Sequence, residues 1–198
     1  GITWILLASP YWSDAIQFIT VIIFSAEIST PLYFFLANAF IAPIHITWIY
    51  IFTNYLYKRH QKKLTALFGI EAVIFELVFL IIFFINPLLI GDQISTFVVE
   101  WAIWIQIYLL LSIVLFLITG FLFARASLKT EEAEIKLKGK FLIVAFLTFT
   151  IGTIIDVIGA GSSIELLIFL ARTFVIISSI CFYIGFTLPK FVKDKLVK

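Results

Sequence analysis

PLYFFLANAFIAPIHITWIYIFTNYLYKRHQKKLTALFGIEAVIFELVFLIIFFINPLLI, residues 31–90, decides the fold. It reads apolar from Pro31 to Tyr57, turns through Lys58-Arg59-His60-Gln61-Lys62-Lys63, and reads apolar again from Leu64 to Ile90. A helix needs about 20 apolar residues to cross a bilayer, and each arm has that length. The turn holds Lys58, Arg59, Lys62 and Lys63 with no acid among them. Hydrocarbon offers no partner for a bare backbone, so a single segment crosses it as a helix. The stretch therefore specifies a membrane-embedded helical hairpin.

The rest of the chain repeats the pattern. Of its 198 residues 63% are hydrophobic and only 13% charged, which leaves too few polar residues for a separate soluble domain. The reading is an all-α polytopic transmembrane bundle, one domain over residues 1–198. Its six spans are placed at about 2–28, 31–57, 64–90, 97–123, 141–160 and 164–188, with a polar loop at 124–140. Span one is interrupted at Ser9-Pro10-Tyr11-Trp12-Ser13-Asp14, because proline removes a backbone donor. A kinked span is favoured over a break followed by a short helix from Ala15. Asp14 and Gln17 fit a capping box. Gly161-Ser162-Ser163 makes a tight turn between the last two spans. The apolar run at the very start implies a chain that extends further upstream.

Charge sets the expected orientation. Of the 14 Lys and Arg, all but Arg172 flank one side of the alternating spans, at 58–63, 125–140 and 190–198. The positive-inside rule makes that side cytoplasmic, together with the C-terminus. Within 128–140, Glu131, Glu132 and Glu134 precede Lys136, Lys138 and Lys140. Acids first and bases last suit a short cytoplasmic helix, with Glu132–Lys136 and Glu134–Lys138 at i,i+4 spacing.

Ionisable residues inside spans are costly and mark candidate sites. They are His45, Glu71, Glu76, Asp156 and Arg172, whereas Glu100 and Glu165 lie close to span starts. If Tyr57 and Leu64 flank the hairpin turn at equal depth, His45 lies level with Glu76 and Tyr50 with Glu71. His45 and Glu76 are expected to face one another near the midplane, as an ion pair or a neutral hydrogen-bonded pair. Pro43 frees the Ala39 carbonyl nearby. Such a group serves as a structural clamp or as a ligand or proton site. Asp156 and Arg172 are expected to pair across the last two spans, where Gly152, Gly159 and Ala160 allow close helix approach. Trp101, Trp104 and Tyr108 share one face of span four, as an interfacial aromatic belt would.

Several classes are excluded by what is missing. The chain has no HExxH, GxSxG, P-loop, CxxC or GxGxxG motif. Its single cysteine, Cys181, cannot form an intrachain disulfide. No lysine lies between Ile164 and Leu188, which rules out a retinal Schiff base there. The expectation is a protein that is not an enzyme, with no cofactor, no metal and no nucleic-acid partner. Its expected partners are membrane lipids and a cytoplasmic or membrane protein docking on the 124–140 loop.

ITWILLASPYWSDAIQF (2–18), FTNYLYKRHQKK (52–63), ITGFLFARASLKTEEAEIKLKGKFLIVAFLTFTIG (118–152) and ISSICFYIGFTLPKFVK (177–193) resemble an uncharacterised archaeal family of multi-pass membrane proteins. More distantly, they are similar to the seven-span sensory regions of some histidine kinases. The resemblance implies a seventh span upstream and a sensor or receptor-like module without its own catalytic domain. The alternatives are a small-solute or proton transporter, and an accessory subunit of a membrane complex.

Overall fold

The computed structural model describes residues 2–159 and 165–196. The expected turn at Gly161–Ser163, with Ala160 and the side chains of Gly159 and Glu165, lies outside them. The chain divides into two compact units, Gly1–Ile105 and Gln106–Lys198. Among the described residues five helices are long and apolar enough to cross a membrane: Thr30–Leu56, Lys58–Ile85, Ile103–Leu128, Ala133–Asp156 and Leu166–Thr187.

Unit 1 opens with α1 (Ile2–Leu7), a 3-10 turn at Ser9–Tyr11 and α2 (Trp12–Phe24). Residues 2–28 are thus not a sixth continuous crossing. Pro10 cannot donate to the helical ladder, so the backbone tightens, with Tyr11 N donating to Ala8 O, and the helix restarts at Trp12. The N-cap of α2 is Tyr11 and makes no side-chain cap. Asp14 and Gln17 therefore lie inside the helix, and the expected capping box does not form.

Next come α3 (Thr30–Asn38) and α4 (Ile41–Leu56), separated at Ala39–Phe40. Pro43 falls in the first turn of α4, where a missing N–H costs nothing because no carbonyl precedes it in the helix. The buried face of α4 is Ile41, Ile44, His45, Trp48 and Phe52, three or four residues apart, and it meets α5 (Gln61–Ile85) and α1. The C-terminal end of α5 leads through a 3-10 turn to a two-stranded antiparallel hairpin, β1 (Gly91–Ser95) and β2 (Val98–Trp101). The hairpin replaces the expected start of span four at residue 97. Trp101 accordingly belongs to a strand and packs on Phe34, while Trp104 opens the next helix and donates to Leu89 O. Thr96 at the hairpin tip donates to Glu27, which fixes the tip to the α2–α3 loop.

Unit 2 is built from α6 (Ile103–Leu128, whose first three residues belong to unit 1), α7 (Ala133–Gly159), α8 (Glu165–Thr187) and α9 (Lys190–Leu196). The 124–140 stretch is not a loop with its own short helix. It is the end of α6 and the start of α7, joined by residues 129–132. Good helix formers and correctly ordered charges extend both spans instead of nucleating a separate element, which is costly for so few residues. Gly120 receives the Phe146 ring, Gly139 lies against Ala124 O and Ser127, and Gly152 lies against Ala171 O and Phe174. Phe116, Phe146, Phe149, Phe182 and Phe186 fill the space between the helices. Leu188 adopts left-handed φ 45° and Pro189 follows, so the chain bends before α9 begins.

Candidate functional site

His45 is 5% exposed on α4. Its Nδ1 lies 3.0 Å from Glu71 Oε2 on α5, in hydrogen-bond contact, and its ring meets Phe68 edge-on. With Glu71 ionised the proton of the bond sits on Nδ1, because a carboxylate only accepts. Glu71 keeps about a third of its side chain exposed. The structure thus places His45 with Glu71, not with Glu76.

The reason is the tightness of the turn. The 3-10 segment Lys58–His60 consumes the residues assigned to the loop, and α5 already begins at Gln61. Counting inward from Leu56 and Gln61 sets His45 level with Ala72, next to Glu71. The register moves by about one helical turn relative to the expectation from Tyr57 and Leu64.

Glu76 lies five residues beyond Glu71, about 140° further round α5. It shares a stripe with Ala72 and Phe79, both buried, and its Oε2 is buried without a hydrogen-bond partner. Tyr50, expected opposite Glu71, is instead more than half exposed, and its carbonyl accepts from Gln61 Nε2.

In unit 2 the Arg172 guanidinium lies 3.5 Å from Asp156, each side chain about a third exposed. Gly152, one turn before Asp156, lets α8 approach to the point where a Cβ would stand 3.0 Å from Ala171 O.

A second polar group in unit 1 escaped the reading of the sequence. Ser9 in the 3-10 turn and Ser13 and Gln17 on α2, spaced by four, are all fully buried, and both elements contact α3. Gln17 Oε1 accepts from Ile28 N at 2.9 Å and secures the α2–α3 loop. Tyr33 on α3 donates its hydroxyl to Asp14, and the buried Asn38 donates to Phe34 O. The signal was present as the four-residue spacing, masked by the resemblance of Asp14 and Gln17 to a cap.

Among the described residues no group of three or more His, Cys, Asp or Glu could hold a metal ion. The arrangement ties neighbouring elements together by hydrogen bonds between side chains and from side chain to backbone. The chain matches no protein-family model, no curated protein and no solved structure.

Proposed function

We propose that the protein is an integral membrane sensor or receptor-like module without its own catalytic domain, with the basic ends of its helices and its C-terminus in the cytoplasm. The responsive element is the α4–α5 hairpin. The observation that carries this reading is the His45–Glu71 contact at 3.0 Å, because it joins two crossings through one proton-bearing bond inside an apolar layer. A histidine bonded to a carboxylate changes its charge and donor pattern with a single proton or with a competing ligand, and it biases whatever helix packing depends on it. The other elements packed on α4 supply few rivals for that proton: α1 has no titratable side chain, α5 adds Glu76 and, at its start, Lys62 and Lys63, and the turn adds Lys58, Arg59 and His60.

Hydrogen exchange of the reconstituted protein across pH tests this. Protection of α4 and α5 should change with pH in the wild type and become flat in His45→Gln. A flat wild-type profile would remove the sensor reading from this contact.

A proton transporter is the second reading, favoured by the unpartnered Glu76 oxygen on the same helix. Its signature is proton flux into liposomes that Glu76→Gln abolishes. The sensor reading expects no flux.

A further inference from the structure

Residues 124–140 and 190–196 carry eight Lys and Arg against four Asp and Glu. Glu131 and Glu132 occupy or adjoin the α6–α7 turn, farthest from the apolar runs. Arg125, Lys138, Lys140 and Lys190 lie within three residues of the apolar segments ending at Ala124, starting at Phe141 and ending at Leu188.

Packing draws these cations together. The closest approach of α6 and α7 is at Gly139, where a Cβ would stand 3.0 Å from Ala124 O. Arg125 adjoins one side of that contact, and Lys138 and Lys140 flank the other. Gly185 against Leu142 brings the end of α8, and with it Lys190, to the same end of the unit. One of the four acids is already engaged, since Glu134 pairs with Lys193 on α9 at 2.6 Å. Among the described residues Arg125, Lys138, Lys140 and Lys190 have no ion-pair partner.

We propose that this cluster is a headgroup site for an anionic phospholipid, with Arg125, Lys138, Lys140 and Lys190 as its phosphate ligands. A compact set of unneutralised cations at the border of an apolar layer is the complement of an anionic headgroup. Arg125 presents a planar fork to the phosphate oxygens, and the lysines add point charges. Phe191, 71% exposed beside Lys190, offers an apolar surface to the acyl region. The inference does not depend on whether the hairpin senses or transports.

The test uses the full chain in nanodiscs of phosphatidylcholine alone and of phosphatidylcholine with one quarter phosphatidylglycerol. Native mass spectrometry of protein released from the mixed discs should show phosphatidylglycerol retained several-fold above its share. Arg125→Gln with Lys138→Gln and Lys140→Gln should bring retention to parity, and Lys190→Gln alone should lower it partway. Lys58→Gln with Lys62→Gln, in the other basic turn, should leave it unchanged. Retention of phosphatidylglycerol by the wild type at no more than its share of the disc, or enrichment that survives the triple substitution, would overturn the site. A melting temperature in neutral discs that rises with inorganic phosphate alone would overturn its assignment to a lipid.

Discussion

The two ionic contacts inside the apolar segments are built differently. His45 in unit 1 is 5% exposed, packed by Phe68 and held by one carboxylate across a hairpin. Arg172 and Asp156 in unit 2 are each about a third exposed and lie beside a glycine-made helix contact. In unit 1 the histidine is part of the core, and its carboxylate partner keeps about a third of its side chain exposed. In unit 2 the core consists of phenylalanine rings and glycine clefts, and the pair decorates it. The same residue classes therefore carry different weights according to what surrounds them.

The largest expected effect probes the first half of that contrast. His45→Leu strands the Glu71 carboxyl in an apolar layer and should cost about 3 kcal/mol, read as a fall in melting temperature in nanodiscs. His45→Gln, which keeps a donor, should recover part of it. The double variant His45→Leu with Glu71→Leu should stay well below the wild type, because the edge-on packing with Phe68 is also lost.

Arg172→Leu should cost less, about 1–2 kcal/mol, since Arg172 is itself a third exposed whereas His45 is buried. Asp156→Leu together with Arg172→Leu should recover most of that loss. Additive losses in the double variant would break the contrast by showing that the residues act separately.

Helix glycines sharpen it further. Gly120→Ala drives a Cβ into the Phe146 ring and should cost about 1–3 kcal/mol. Gly69→Ala in α5 meets nothing within 4 Å and should stabilise by about 0.5–1 kcal/mol.

The smallest effect lies outside the apolar layer. The hydrogen bond and charge of Glu134, with Asp194 adding, raise the Lys193 pKa above the ordinary lysine value. A raised pKa means that the folded state holds the proton more tightly. The contribution is therefore complete at neutral pH and is lost as pH climbs through and past the lysine range. Hydrogen exchange of α9 should quicken there in the wild type, and Glu134→Gln should show the faster exchange already at neutral pH.

The long apolar runs made the crossings of α5, α6, α7 and α8 legible, because twenty apolar residues admit few alternatives. Register was less legible. The hairpin turn held three residues of 3-10 helix that a composition-based reading assigns to loop, and that displacement exchanged Glu76 for Glu71 opposite His45. The β1–β2 hairpin was hidden because Phe97-Val98-Val99 reads as the start of an apolar span. Its alternation, with Gly91 and Thr96 at the ends, was the local sign of strands. The Ser9–Ser13–Gln17 row was unread because isolated hydroxyl and amide side chains in an apolar helix look like filler until a neighbouring helix covers them.

The interruption at Ala39–Phe40 has a consequence for where this chain can reside. Nine residues of α3 and sixteen of α4 are two rods, about 14 Å and 24 Å long, sharing one crossing. A single rigid rod meets a bilayer that is too thin or too thick by tilting as a whole. Two rods with a joint between them can change their combined height by bending at Phe40, while α4 keeps its grip on α5 through His45. In a bilayer, such a segment would adapt to membrane thickness at its Thr30 end and be held from His45 onward, where α4 is bonded to α5.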